Sequence, residues 1–213
     1  MDFLLQLADF FIHIDKHLGV IISSYGAWTY LLLFIVVFCE TGLVVTPFLP
    51  GDSLLFAAGA FAARGYFEVY SLAFILLTAA VAGDAANYTI GKYIGPKVFE
   101  YQDSRIFKRQ YLDRTQAFYE KYGGKAIVIA RFVPIVRTFA PFLAGVGEMS
   151  YPRFAFYNVS GAILWVGLFV FGGYFFGELP FVENNFSLVI AVIIVISVLP
   201  AVFEAWRAKK ARP

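Results

Sequence analysis

Histidine, cysteine and charge are scarce in this chain, and each scarcity closes off a class of chemistry. The 213 residues include two histidines, two methionines and one cysteine. Cys39 lies inside an apolar run and has no second cysteine with which to form an intramolecular disulfide. Soft-metal chemistry has little to work with, and no cofactor or metal is called for. His13 and His17 are spaced i,i+4, which would place both on one helical face and permits metal ligation. With no other histidine in the chain and no cysteine nearby, they read instead as polar residues of an interfacial segment. Charged residues reach only 15%, where an ordinary soluble domain has about 25%. The net charge of +2 gives no global reason to expect a nucleic-acid partner. Met1 to Gln6 bring no basic region ahead of the apolar stretch, and no small-residue cleavage site follows it. The N-terminus is therefore expected to be retained.

What fills the chain is apolar sequence. Hydrophobic residues make up 60% of it, and the mean hydropathy is +0.72. At roughly 20 residues per span, this length holds about six crossings with short loops. The composition predicts a single all-α, polytopic membrane domain over residues 1–213.

One short phrase is written twice. Thr46-Pro47-Phe48-Leu49-Pro50-Gly51-Asp52 stands in the first half and Ala140-Pro141-Phe142-Leu143-Ala144-Gly145 in the second. Each follows a Tyr-Gly pair (Tyr25-Gly26, Tyr122-Gly123) and a long apolar run. Proline and glycine break helices, and two broken apolar segments in corresponding positions point to a transporter-like repeat. The predicted fold is an inverted repeat with two re-entrant helical hairpins, completed by transmembrane helices and interfacial amphipathic helices.

The segments follow from hydropathy. Residues 1–24 carry Asp9, Asp15 and Lys16 and suit an interfacial or spanning N-terminal helix. Residues 27–63 form the first broken segment, and residues 69–95 a full span with Gly83-Asp84 and the row Tyr88, Gly91, Gly95. Residues 96–125 hold Lys97, Arg105, Lys108, Arg109, Arg114, Lys121 and Lys125, which marks a cytoplasmic amphipathic segment. Residues 126–149 form the second broken segment, and residues 154–176 and 187–206 the last spans. Two crossings return the basic tail to the cytoplasm, so the two hairpins open to opposite leaflets.

Glu40, Asp52, Asp84, Arg131 and Arg137 lie in or beside apolar sequence. A charge at the bilayer centre costs about 3 kcal/mol or more, so such residues pair with one another or line an aqueous path. Arg131 and Arg137 flank a proline break at Pro134 and could face one cavity from either side of it. Arginine stays charged and binds phosphate through a planar fork of donors. Helix N-termini at the breaks would add partial positive charge for an anion. A desolvated carboxylate can take up and release a proton near neutral pH, which suits Glu40 and Asp52 to proton coupling. Asp84 reads as a helix-packing or network residue. Together these features describe a proton-coupled carrier or flippase for something anionic.

The set Glu40, Pro47-Phe48-Leu49-Pro50-Gly51-Asp52, Gly83-Asp84 with Tyr88, Gly91 and Gly95, and Arg131-Phe132-Val133-Pro134-Ile135-Val136-Arg137-Thr138 with Ala144-Gly145 resembles the bacterial DedA family. The resemblance covers nearly the whole chain. It implies an inner-membrane protein with two re-entrant hairpins, similar to the eukaryotic VTT-domain lipid scramblases. It further implies return of undecaprenyl phosphate across the membrane, driven by the proton motive force. The family's functional acids and arginines map onto Glu40, Asp52, Arg131 and Arg137.

On that footing Arg131 and Arg137 bind the substrate phosphate and Glu40 and Asp52 couple its movement to protons. Asp84, Pro47, Pro50, Gly51, Pro134, Pro141 and Gly145 support the site. Expected partners are membrane lipids, polyprenyl phosphate among them, and protons, with a homo-oligomer compatible. Two alternatives use the same residues, a proton-coupled ion antiporter and a phospholipid scramblase with a different lipid. An intramembrane phosphatase is disfavoured, because phosphate hydrolysis commonly needs a histidine or a metal cluster. Both histidines are far in sequence from the anion site.

Overall fold

The fifteen residues from Trp28 contain neither proline nor glycine before the last, and they wind into helix α1, Trp28–Gly42. The computed structural model describes residues 26–43, 51–98, 119–120, 122–147, 149–185, 188–189, 192–193 and 195. Every regular element among these described residues is helical. Helix α2, Gly51–Ala63, ends where Gly65 takes a left-handed conformation with φ +82°. There the Tyr66 N–H donates back to the Phe61 carbonyl and the Gly65 N–H to that of Ala62, closing the helix end.

Helix α3, Val69–Val98, is started by Glu68. Its carboxylate accepts from the backbone N–H groups of Tyr70, at 3.0 Å, and Ser71, at 2.5 Å. The Ser71 hydroxyl, with those two amides, holds this exposed carboxyl below its ordinary value of 4.5. The Glu68 N–H in turn donates to the Tyr30 hydroxyl, tying the loop to α1.

A 3-10 turn at Gly123–Lys125 leads into the short helix α4, Ala126–Ala130, and the chain then turns at residues 131–133. Helix α5, Pro134–Val146, begins with proline at its first position, where the missing N–H leaves no intrahelical bond unmade. Helix α6, Tyr151–Val166, passes through a π turn, Gly167–Phe171, into α7, Gly172–Phe176. A further short helix, α8, spans Pro180–Asn184.

Two helical stretches, Val69–Tyr93 and Tyr151–Phe176, are long and apolar enough to cross a membrane. At 1.5 Å per residue, 25 residues reach about 38 Å, beyond the roughly 30 Å hydrocarbon core. Their outward faces carry Tyr70, Phe74, Phe156, Ile163 and Phe175, all exposed. Glu40, Asp84, Asn87, Arg131 and Asn158 are buried instead. An apolar outside around a polar inside is the arrangement that lipid favours.

Helix α3 packs against α1 on one side and α5 on another, and α2 packs on the π turn and α7. Lipid is as apolar as leucine, so helices in a bilayer are held by close packing and buried hydrogen bonds. Small residues supply the closeness here. A Cβ on Gly91 would fall 2.1 Å from the Phe142 carbonyl oxygen, and one on Gly145 2.1 Å from that of Tyr88. A Cβ on Gly59 would fall 2.0 Å from the carbonyl oxygen of Val170 in the π turn.

One expectation needs correction. The second copy of the repeated phrase is not a break, because Pro141 and Gly145 both lie inside α5. The chain breaks instead at residues 131–133, just ahead of Pro134, in keeping with the proline break expected between the two arginines. Carbonyls just ahead of the proline also bond to other elements. Asn87 Nδ2 donates to the Thr138 oxygen at 2.9 Å and the Tyr119 hydroxyl to the Ala140 oxygen at 2.7 Å. The span expected from residue 154 begins at Tyr151, with Pro152 in its first turn. The expectations for residues 1–24, with His13 and His17, for Pro47 and Pro50, and for most of 96–125 and 187–206 lie outside the described residues.

Candidate functional site

Two arginines carried by the second broken segment anchor two neighbouring charge groups. Arg137 stands one turn into α5, at the level of the end of α1 and the start of α2. Its Nη1 lies 3.4 Å from Glu40 Oε1 and 3.3 Å from Asp52 Oδ1. Glu40 is held from a second direction by the Gly51 N–H, which donates to the same Oε1 at 3.2 Å. That amide belongs to the first residue of α2, where unpaired N–H groups favour negative charge. Glycine is needed there, since a Cβ on Gly51 would sit 1.9 Å from Glu40 Oε2.

Trp165 of α6 completes this group. Its indole N–H donates to Asp52 Oδ1 at 2.7 Å, and its ring lies 4.1 Å from Arg137 Cζ. The indole is fully buried, at 0% exposure.

Arg131, at the chain break, is engaged differently. Its Nη2 donates to Asp84 Oδ2 at 2.5 Å and to Asn158 Oδ1 at 2.7 Å. Asn158 also donates to the Val81 carbonyl at 3.0 Å, so the second group ties α3, α6 and the break together. The Arg131 and Asp84 side chains are only 2% and 4% exposed. Gly161 leaves room for the arginine to lie on α6, as a Cβ there would meet Arg131 Cδ and Nε at 3.2 Å. A third node is Asn87, whose Nδ2 donates to the carbonyls of Thr41 and Thr138.

Several buried polar atoms have no hydrogen-bond partner among the described residues, namely Glu40 Oε2, Arg131 Nε and Nη1, and Arg137 Nε and Nη2. Acids gather two on Arg137 and one on Arg131, and among the described residues no group of three or more His, Cys, Asp or Glu could hold a metal ion. The fold thus brings Glu40, Asp52, Asp84, Arg131 and Arg137 into one buried region, with Gly51 in direct contact. Pro134 opens α5, and Pro141 and Gly145 pack that helix rather than touch the charges.

Sequence reasoning does not single out Asn87, Asn158 or Trp165. The signal is one of face. Asp84 and Asn87 stand three apart, and Asn158, Gly161 and Trp165 lie at i, i+3 and i+7, on one face of α6.

Comparison with known proteins fits this geometry. The VTT domain matches residues 49–175. The protein DedA of Escherichia coli K12 is 57% identical over 213 residues, covering 99% of this chain and 97% of the relative. This chain belongs to the DedA family. Other DedA-family relatives include an uncharacterized membrane protein of Mycobacterium tuberculosis H37Rv, 45% identical over 182 residues, with 84% and 80% of the two chains covered. The inner membrane protein YqjA of E. coli K12 is 33% identical over 151 residues, with 71% and 69% covered. No solved structure gives a significant match. The VTT match takes in Asp52, Asp84, Arg131, Arg137 and Trp165, while Glu40 precedes it. The chain is a helical membrane protein that buries Glu40, Asp84 and Arg131 among apolar helices.

Proposed function

We propose that this protein carries an anionic lipid across the bacterial cytoplasmic (inner) membrane, with undecaprenyl phosphate as substrate and protons as the coupled ion. One observation carries the reading. Glu40, Asp84 and Arg131 sit buried among apolar helices with Asp52 and Arg137 half-buried beside them, and among the described residues arginine donors are left unpartnered. Such a group is costly in a membrane and is retained where charge must pass. With every group ionised, the acids outnumber the arginines by one, so uptake of a proton balances the cluster. An anionic head group entering the arginines would call for further protons on Glu40 and Asp52. This couples the two movements.

In this reading α1–α2 and α4–α5 are re-entrant hairpins entering from opposite leaflets, related as an inverted repeat about the central helices. The lipid tail stays in the bilayer while the head group moves, and no covalent bond changes, so the protein is not an enzyme. The names of relatives such as the inner membrane protein YqjA support the location.

The test is transport of labelled undecaprenyl phosphate in proteoliposomes, with and without a pH gradient, alongside Glu40→Gln and Arg137→Ala. Gradient-stimulated movement that both folded variants lose is the expected result. Movement indifferent to the gradient would replace the proposal with passive scrambling. A cation flux indifferent to lipid phosphate would replace it with ion antiport.

A further inference from the structure

The two arginines of the site are not equivalent, and the difference lies in which nitrogens are occupied. A guanidinium offers a planar two-pronged edge along Nε and Nη2, the edge that grips two oxygens of one anion side by side. In Arg137 the carboxylates of Glu40 and Asp52 both approach Nη1. Nε and Nη2, both buried, have no hydrogen-bond partner among the described residues. The complete edge is therefore open on a side chain that is only 10% exposed.

Arg131 presents the opposite case. Asp84 and Asn158 both take their hydrogen bonds from Nη2, which interrupts that edge, and the open nitrogens, Nε and Nη1, do not form it.

Trp165 explains how the Arg137 edge keeps its orientation. The indole ring lies against the guanidinium at 4.1 Å, which favours the cation and blocks one face of it. The same residue's N–H fixes Asp52 Oδ1, the acceptor shared with Arg137 Nη1. One fully buried side chain thus sets both the plane of the guanidinium and the carboxylate at its far end.

We infer that the Nε–Nη2 edge of Arg137 is the anion fork of this site, that Trp165 is the positioning residue that presents it, and that Arg131 is committed to joining helices. The ligand is a phosphate monoester, with two oxygens in the plane of the guanidinium. This inference rests on the lipid-carrier reading for the nature of the tail, and on the nitrogens alone for the fork. The edge is sealed from solvent in this structure, so the ligand enters when a neighbouring element moves aside.

Equilibrium binding to the full chain in detergent tests it, with farnesyl phosphate as the lipid-like probe and inorganic phosphate as the free one. Arg137→Lys keeps the charge but has no fork, and is expected to weaken farnesyl phosphate binding by about tenfold or more. Trp165→Phe keeps a ring face and should stay within about threefold of wild type, whereas Trp165→Leu should lose about tenfold. Rescue by phenylalanine separates positioning from mere filling of space. If Trp165→Leu does not fold, the Arg137→Lys comparison decides alone. Wild-type affinity in folded Arg137→Lys, or in folded Trp165→Leu, would overturn the proposal, as would no binding of either probe by wild type. Equal affinity for both probes would support the fork and remove the tail from recognition. Binding without undecaprenyl phosphate transport would overturn the carrier reading and leave the fork standing.

Discussion

Removing Asp84 should destabilise the protein more than removing Asp84 and Arg131 together. The pair is sealed, with side chains 2% and 4% exposed, and among the described residues Asp84 is the charged group paired with Arg131. Asp84→Leu would leave a buried guanidinium with Asn158 Oδ1 as its sole acceptor among the described residues, since Nε and Nη1 are already unpartnered there. Orphaning one member of a buried ion pair costs about 3–5 kcal/mol. At about 1.4 kcal/mol per tenfold, that is roughly two to three and a half powers of ten in the folded-to-unfolded ratio. The double variant Asp84→Leu with Arg131→Leu carries no stranded charge. It loses mainly the donor to Asn158, and should lie within about 2 kcal/mol of wild type. Unfolding by sodium dodecyl sulfate titration in mixed micelles measures both. A single variant within about 1 kcal/mol of wild type, or a double variant worse than the single, would refute the reasoning. Because Arg131 joins helices rather than grips phosphate, the folded double variant should also bind farnesyl phosphate within about threefold of wild type.

Two further outcomes follow from contacts away from the charges. Gly59→Ala would drive a methyl into the Val170 carbonyl, 2.0 Å from the ideal Cβ position, and should cost about 1–3 kcal/mol in the same titration. Glu68→Ala should lower the thermal midpoint at pH 7, because the ionised carboxylate caps α3. The folded carboxyl titrates below its ordinary 4.5, so the stabilisation is complete above that value and fades as pH falls through the lower folded value. The gap between Glu68→Ala and wild type should therefore close in acid, and a gap that persists there would assign the effect to something other than charge.

Much of this arrangement could be read from the chain because lipid makes charge conspicuous. Five ionisable residues in apolar sequence had to find one another, and Glu40, Asp52, Asp84, Arg131 and Arg137 do so. Which acid meets which arginine was not legible, since pairing depends on where helices cross rather than on spacing along any one of them. Pro141 misled for a related reason. Proline weakens a helix locally, but α5 runs through it and is held to the rest of the fold by Asn87 and Tyr119, both distant in sequence. Trp165 was hidden among many aromatics, because the composition of an apolar span does not show which ring turns inward.

Asn87 has a consequence for how the molecule moves. Its amide carries two hydrogens, and they go to carbonyls of two different broken segments, Thr41 at the end of α1 and Thr138 within α5. Shifting one segment against α3 breaks one hydrogen bond, at about 1 kcal/mol, and leaves the other to hold register. Shifting both together breaks two at once and frees the central helix from each. The cheaper route is to move them in turn, with α3 as a fixed axle that always keeps a grip on one side. A transport cycle built on this fold would step, one half after the other, rather than gape.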